Sequence, residues 1–294
     1  MMDLADVDTL KMLCTKYGIV PNTDAGQHFL VNREVLEETV AAAHLTSADT
    51  VLEVGPGLGT LTAELAQCAG RVIAVELDPK LLAAAREILS PHKNIELMKE
   101  NILSFRPSTY NLKINTYKLV SNLPYGITGR FLRLLFTQWP RPSLAVLMVQ
   151  QEVAERITAP PGKLSVLGVM CQLYAEPTIQ VVASRQDFWP APEVDSAVVV
   201  FRVRHTVKLA KLIGDAALSP EAVMRVVRFG FAARRKTLMN NFLAAPSGII
   251  AKAEKIERIL QALCSAKILE KSRAQEVSVP QWITLAKKLK NCLN

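Results

Sequence analysis

The sequence predicts an α/β protein whose doubly wound parallel sheet is followed by a small all-helical domain. Short apolar runs alternate with segments of helical spacing over the first two thirds of the 294-residue chain. The strand signal then ends near residue 205. From Thr206 onward the chain has 16 Lys and Arg against 6 Asp and Glu, a net charge of +10, whereas the whole chain carries +8. A near-neutral domain followed by a basic one favours chemistry in the first and polyanion binding in the second.

The composition indicates a soluble protein with a large core. Half of the residues are hydrophobic, yet no stretch reaches the roughly 18 uninterrupted apolar residues that a membrane span needs. The first residues, MMDLADVDTLKMLC, contain acids where a secretory signal has a basic flank. The five cysteines are scattered and form no C-x-x-C pair, which favours reduced thiols over disulfides or zinc ligands. We therefore expect a cytoplasmic protein without a metal site.

The individual elements follow from apolar spacing and from the turn residues that bound it. The predicted strands are, in chain order, 50–55, 71–76, 95–101, 117–122, 143–150, 178–184 and 196–203. The predicted helices are 32–45, 58–68, 79–89, 128–138, 220–243 and 253–266. Asp78 is the expected N-cap of the helix 79–89, and Pro79 is its expected first residue.

Polar or glycine-rich residues follow four of these strands. The first strand ends in EVGPGLG (53–59), whose glycines, among them Gly55 and Gly57, let a ligand approach the backbone closely. This G-x-G-x-G spacing differs from the dinucleotide G-x-G-x-x-G. The next two strands end in Glu76 and Asn101, a carboxylate suited to a ribose diol and an amide suited to an adenine edge. Because ligands collect at the carboxyl ends of parallel strands, these groups indicate a nucleoside-bearing cofactor.

The fourth strand ends in Asn122-Leu123-Pro124-Tyr125, which matches the needs of amine methylation. An exocyclic amine on a nucleobase is a poor nucleophile until its nitrogen becomes tetrahedral. The Asn122 side-chain oxygen and the Leu123 carbonyl are candidates to accept its two N–H bonds and to favour the charge that develops. Pro124 stiffens the loop, and Tyr125 offers a ring on which an extruded base stacks. Alone, the tetrapeptide is more typical of a turn with a buried tyrosine.

Together the motifs resemble those of the S-adenosylmethionine-dependent rRNA adenine N6,N6-dimethyltransferases, of the kasugamycin-resistance type that acts on small-subunit rRNA. The resemblance extends from about Gly26 to the C-terminus. The motifs that carry it are GQHFL (26–30), EVGPGLG (53–59), VELD (75–78), NLPY (122–125), GKLSV (162–166), PEVDSAVV (192–199) and RRKTLMN (234–240). The resemblance implies a Rossmann-like class I methyltransferase sheet and S-adenosylmethionine as cofactor.

The resemblance also implies a cofactor site, which maps onto His28, Leu30, Gly55, Gly57, Glu76, Asn101 and Asn122. Two positions depart from the family pattern, because relatives often have Asn at position 28 and usually have Asp at position 101. The Asn101 amide keeps an acceptor but loses the charge. The implied domains are an N-terminal extension over 1–25, a catalytic domain over 26–206 and a basic helical RNA-binding domain over 207–294.

The expected RNA contacts lie in the stretch RVVRFGFAARRKTLMN, and they are Arg225, Arg228, Arg234, Arg235 and Lys236. The implied substrate is a pair of adjacent adenosines in the 3′-terminal hairpin loop of small-subunit rRNA, within a pre-ribosomal particle, and the protein is expected to act as a monomer. Unpaired loop bases are the cheaper ones to extrude.

Three alternatives stay open from the sequence. The antibiotic-resistance methyltransferases modify large-subunit rRNA with nearly the same motifs. A non-catalytic RNA-binding assembly factor is a second, although Gly55, Gly57, Glu76 and the intact NLPY motif argue against it. DNA adenine methylation shares the N-x-P-Y chemistry, but no module for major-groove recognition is visible in the sequence.

Overall fold

The structure is a computed structural model that describes residues 2–246 and 251–289. Internal contacts divide the chain into two compact units. The first unit comprises the residues up to Ala154 together with Pro177–Val203, and the second comprises Glu155–Glu176 together with the residues from Arg204 onward. None of the helices within the described ranges is long and apolar enough to cross a membrane.

The first unit is built around a seven-stranded sheet with helices between its strands. Its elements are α1 (Val7–Tyr17), β1 (Phe29–Leu30), α2 (Arg33–Ala42), β2 (Thr50–Val54), α3 (Thr60–Cys68), β3 (Arg71–Glu76), α4 (Pro79–Ile88), β4 (Ile95–Lys99), β5 (Lys118–Asn122), α5 (Thr128–Thr137), β6 (Leu144–Gln150), β7 (Ala175–Ala183), β8 (Phe188–Trp189) and β9 (Ser196–Val203). The short strands β1 and β8 form a separate antiparallel pair.

The strand order of the large sheet is β4-β3-β2-β5-β6-β9-β7. The five strands from β4 to β6 are parallel, and β9 runs antiparallel to β6. The chain moves from β2 outward to β3 and β4, and then returns to the other side of β2 with β5 and β6. Such a reversal opens a crevice at the carboxyl ends of the strands beside it. The predicted Rossmann-like sheet is therefore confirmed.

The central strands are apolar because both of their faces are covered. Leu52 of β2 and Ile73 of β3 have no exposed surface. The helix α4 begins as its sequence predicts, since the Asp78 carboxylate accepts hydrogen bonds from the amides of Lys80 and Leu81 and Pro79 occupies the first turn.

The segment 1–25, expected as an extension, contributes to the core of the first unit. Its helix α1 buries Leu10, Leu13 and Cys14 in one cluster with Leu81 and Leu89 of the α4 region. The amphipathic spacing of α1 is visible in the sequence, but the surface that it covers is not. The residues that follow α1 lead directly to the cavity described below.

The second unit is helical within the described ranges. Its helices are α6 (Gln151–Thr158), whose first turn belongs to the first unit, α7 (Val166–Tyr174), α8 (Thr206–Ile213), α9 (Pro220–Gly230), α10 (Leu238–Ala244), α11 (Lys252–Ser265) and α12 (Val279–Leu289). Trp282 of α12 is fully buried, and a Cβ added at Gly230 would collide with its ring. Only glycine fits at the end of α9 for this reason.

The helix predicted over 220–243 is two helices in the structure. A turn separates α9 from α10, and Thr237 caps the start of α10 by accepting a hydrogen bond from the amide of Asn240. The Asn241 side-chain amide donates to the carbonyls of Gly230 (2.6 Å) and Ala233 (3.1 Å). These bonds satisfy carbonyls that a continuous helix would have paired internally.

The segment Glu155–Glu176 groups with the second unit, whereas the sequence placed it inside the domain 26–206. The helix α7 packs against α9 and α12. The apolar sequence of α7, VLGVMCQLY, does not indicate which unit the helix packs against, because a buried helix of this length is compatible with either one.

Candidate active site

A cavity of about 550 Å³ lies at the carboxyl ends of β2, β3, β4 and β5. The polar groups predicted at these four strand ends all face it. The lining includes every residue of the implied cofactor site, namely His28, Leu30, Gly55, Gly57, Glu76, Asn101 and Asn122, and it also includes Pro124. Leu123 and Tyr125, the other two residues of the NLPY motif, are not among the residues that line it.

The glycine loop after β2 provides one wall of the cavity. Gly55 and Gly57 have φ angles of +66° and +58°, in the left-handed region that favours glycine. A Cβ at Gly57 would lie 3.0 Å from the ring of Phe29, and one at Gly55 would lie 3.5 Å from Pro124. The loop therefore brings bare backbone up to the cavity while β1 and the NLPY motif pack on it.

Glu76 ends β3 with its carboxylate turned back toward the glycine loop. Its Oε1 accepts hydrogen bonds from the amides of Leu77 (2.8 Å) and Asp78 (2.9 Å), and its Oε2 accepts a longer one from Gly57 (3.3 Å). Burial raises the pKa of Glu76, and the three amide bonds oppose that rise. Oε2 keeps capacity for a further donor, which suits a ribose hydroxyl.

Glu53 is a cavity residue whose importance the sequence did not reveal. Only 1% of its surface is exposed, and its Oε2 has no hydrogen-bond partner within the described residues. Burial raises the pKa of Glu53 to about 8. The nearby Thr62 hydroxyl opposes this rise, and the charge of Glu76 adds a smaller contribution to it. A buried acid with one oxygen that has no donor, facing a cavity, fits a ligand that brings a positively charged hydrogen-bond donor. Its sequence signal was a lone carboxylate inside the apolar run TVLEVG.

Asn101 lies just beyond β4 at the exposed edge of the cavity. Its Oδ1 accepts a hydrogen bond of 3.0 Å from the amide of Leu103. The neighbouring Glu100 also lines the cavity, and it accepts a hydrogen bond from the Tyr110 hydroxyl. Glu100 was not singled out in the sequence, because an acid beside a polar strand end is usually solvated.

Asn122 ends β5 with a fixed side-chain orientation. Its Nδ2 donates to the carbonyl of His28 at 3.4 Å, which leaves the Oδ1 oxygen as the group available to a ligand. Leu123 is 1% exposed, and its amide donates to the carbonyl of Met148 in β6 (3.1 Å). The buried Leu123 side chain thus fixes the backbone between Asn122 and Pro124.

Tyr125 is held on two sides. Its hydroxyl lies 2.6 Å from Oγ of Ser196, the first residue of β9, and its ring stacks on His28 at 5.8 Å between centroids. The His28 ring is itself fixed by a 2.7 Å hydrogen bond between Nδ1 and the carbonyl of Pro190. Burial raises the pKa of the Tyr125 phenol, so that it stays protonated. In the sequence, Ser196 was only part of the PEVDSAVV motif.

The predicted RNA contacts lie on the surface of the second unit. Arg225 and Arg228 are on α9, and the turn that follows carries the other three basic residues. All five are exposed, and no acidic side chain in 2–246 or 251–289 forms an ion pair with any of them. Phe231, which lies between these two groups of basic residues, is half-buried and stacks on the Trp282 ring at 5.7 Å.

No group of three or more His, Cys, Asp or Glu among the described residues is placed to hold a metal ion. The cavity itself presents carboxylates, amide oxygens and backbone groups. These suit a polar organic ligand with a nucleoside part.

Known proteins are similar to this chain over most of its length. The chain matches the family Ribosomal RNA adenine dimethylase over residues 20–291. Two similar proteins are both named Ribosomal RNA small subunit methyltransferase A. The one from Dehalococcoides mccartyi strain CBDB1 is 39% identical over 92% of this chain and 89% of its own length. The one from Pelotomaculum thermopropionicum is 34% identical over 97% of both chains.

Solved structures show the same architecture. The 23S rRNA methyltransferase ErmE superposes with a TM-score of 0.68 at 28% identity, covering 88% of this chain and 98% of the other. A dimethyladenosine transferase from Plasmodium falciparum superposes with a TM-score of 0.74 at 23% identity, covering 90% of this chain and 98% of the other. The motifs, the fold and the matched length agree, and the chain belongs to the ribosomal RNA adenine dimethylase family.

Proposed function

We propose that this protein transfers methyl groups from S-adenosylmethionine to N6 of two adjacent adenosines in the 3′-terminal hairpin loop of small-subunit rRNA. We further propose that it acts as a cytoplasmic monomer on a pre-ribosomal particle. Family membership supports the reaction class, and the names of the relatives in D. mccartyi and P. thermopropionicum support the small subunit. The observation that carries the proposal is the fixed Asn122 amide, whose oxygen remains available in the same cavity as Glu53 and Glu76.

The cavity fits the proposed cofactor. When bound, S-adenosylmethionine supplies a methyl group made electrophilic by a sulfonium. The Glu53 carboxylate, whose Oε2 lacks a partner among the described residues, suits the cationic amino-acid end of this molecule, and Glu76 suits its ribose diol. The bare backbone at Gly55 and Gly57 permits the close approach that such binding needs.

Asn122 and Leu123 orient the target amine. Because Asn122 Nδ2 is held by the His28 carbonyl, the amide presents an acceptor to the exocyclic N–H of an incoming adenine. The Leu123 carbonyl is proposed as the acceptor for the second N–H. Two acceptors favour a tetrahedral nitrogen and the positive charge that develops on it, and this preference lowers the barrier rather than only improving binding. The methylated nitrogen releases its proton readily, so no strong general base is required.

Tyr125 is proposed to stack on the target adenine. One face of its ring is covered by His28, and its hydroxyl is held by Ser196. A ring fixed in this way loses little conformational entropy when a base stacks on it. Base–aromatic stacking contributes about 1–3 kcal/mol and tolerates either methylation state of the amine.

The basic surface of the second unit is proposed to bind RNA phosphates. Its five basic side chains are exposed and form no ion pairs within the described residues, so phosphate binding does not require an existing bridge to break. Each phosphate contact releases counterions, and the affinity is therefore expected to fall steeply with salt.

Labelled-methyl transfer tests the proposal. The purified protein is incubated with labelled S-adenosylmethionine and either undermethylated small subunits or protein-free large-subunit rRNA. We expect label on adenosines of the small subunit and a loss of about 100-fold or more in rate for Asn122→Ala, the size typical of removing one transition-state acceptor. Label on large-subunit rRNA alone would support the activity of ErmE instead, and no label with either RNA would indicate a non-catalytic RNA-binding protein.

A further inference from the structure

The pair Glu100-Asn101 lies at the end of β4, and both residues line the cavity. Position 101 is Asn, so the second residue of this pair provides no carboxylate. The structure shows how the two neighbouring side chains divide the hydrogen-bonding roles at this edge of the cavity.

Asn101 offers hydrogen-bond donors to a ligand. Its Oδ1 accepts from the amide of Leu103 at 3.0 Å, and an exchange of Oδ1 with Nδ2 would place two donors against each other. The orientation of the amide is therefore set by the backbone. Nδ2 is left with two N–H groups at the cavity edge, which repel the amine of an adenine and attract its ring nitrogen.

Glu100 offers the missing acceptor. It is half-buried, and its backbone amide donates to the carbonyl of Glu76 at 3.2 Å. The Tyr110 hydroxyl donates to its Oε1, and the Tyr110 ring stacks on Phe105 at 4.9 Å with an angle of 7° between the planes. These contacts hold the carboxylate in place while Oε2 keeps its acceptor capacity. A charged acceptor also forms stronger hydrogen bonds than the second lone pair of the Asn101 oxygen.

We propose that Glu100 accepts a hydrogen bond from the exocyclic amine of the cofactor's adenine and that Asn101 donates one to its N1. The two residues together match the donor–acceptor pattern of the adenine edge, so they exclude a 6-oxo purine, whose pattern is reversed. This inference rests on the proposed function, because it concerns the nucleoside of S-adenosylmethionine. It assigns to Glu100 the acceptor role that the Asn101 amide, bound through its oxygen to Leu103, does not fill.

Binding measurements with altered purines test the inference without turnover. Isothermal titration calorimetry gives the dissociation constants of S-adenosylhomocysteine and of its analogue that lacks the 6-amino group. We expect the wild-type protein to prefer the amino form by about tenfold, the usual effect of one hydrogen bond to a charged acceptor. Glu100→Gln should reduce this ratio to near one, whereas Glu37→Gln, which removes the same charge from the exposed face of α2, should leave it unchanged.

A second variant moves the acceptor back to position 101. Because an aspartate there still accepts from Leu103 with one oxygen, its other oxygen faces the adenine amine. The double variant Glu100→Gln with Asn101→Asp should therefore recover the preference for the amino form. The wild-type protein should bind the 1-deaza analogue of S-adenosylhomocysteine, which has a CH in place of N1, about tenfold more weakly than S-adenosylhomocysteine itself. Asn101→Asp should bind the two compounds equally well.

The outcomes separate this inference from the proposed function. If the wild-type protein binds S-adenosylhomocysteine but Glu100→Gln keeps the full preference for the amino form, the role of Glu100 is refuted and the proposed function stands. If the wild-type protein does not bind S-adenosylhomocysteine, both are refuted.

Discussion

The substitution Glu53→Gln is expected to change how the stability of the protein depends on pH. Glu53 is fully enclosed, and burial raises its pKa from the ordinary value of 4.5 to about 8. Between these values the unfolded chain releases the proton while the folded protein keeps it. The folded state therefore loses stability as pH rises, by about 1.4 kcal/mol per pH unit from this one group.

Glutamine matches the protonated form of Glu53 in shape and does not titrate. The stability of Glu53→Gln relative to the wild type should therefore increase by about 2 kcal/mol from pH 6.0 to pH 7.5. Urea denaturation of both proteins at the two pH values measures this difference, and the comparison cancels the titrating groups that do not interact with Glu53. An unchanged stability difference between pH 6.0 and pH 7.5 would refute a raised pKa at Glu53.

Three further perturbations test other parts of the account. Ser196→Ala removes the hydrogen-bond partner of the Tyr125 hydroxyl. This substitution should lower kcat for methyl transfer by about tenfold while the affinity for S-adenosylhomocysteine stays constant. Ser196→Thr keeps a hydroxyl at this position and should restore kcat; a kcat as low as that of Ser196→Ala would contradict the role of the hydroxyl. The double variant Arg234→Glu with Arg235→Glu should weaken RNA binding and lower its dependence on salt, and unchanged affinity in filter-binding assays would exclude the basic surface. Lys255→Met leaves two carbonyls at the end of α10 without their donor. Calorimetry should show that the free energy of unfolding falls by about 1–3 kcal/mol. An unchanged free energy of unfolding would mean that water replaces the ammonium.

The sequence predicted the parts of the fold that depend on local patterns. Apolar runs located β2 and β3, and Asp78 with Pro79 located the start of α4. The placement of Glu76 and Asn122 at the same edge of the sheet followed from parallel topology alone. These features needed no knowledge of which surfaces pack together.

What the sequence did not reveal depends on contacts between distant segments. The burial of Glu53 requires the glycine loop and the strands beside β2 to enclose it, and no local pattern shows that. The partner of Tyr125 is Ser196, 71 residues away along the chain. The break between α9 and α10 depends on Asn241 and on the fit of Gly230 against Trp282, which only tertiary packing determines.

The hydrogen-bonding role of Asn101 shows the same limit at a single side chain. Its identity suggested an acceptor for adenine, since an amide offers both donors and an acceptor. The structure shows that the backbone amide of Leu103 already binds the oxygen. A local turn therefore decides which half of the amide faces the ligand, and the neighbouring Glu100 gains importance as a result.

The central claim is that the Asn122 oxygen directs methyl transfer to adenosines of small-subunit rRNA. Mass mapping of methyladenosines tests it most directly, in small subunits from cells that lack this protein and that are supplied with the wild type or with Asn122→Ala. We predict N6,N6-dimethyladenosine at two adjacent positions of the 3′-terminal loop with the wild type and unmodified adenosine with Asn122→Ala. Equal dimethylation by the two proteins would contradict the assignment of the active site.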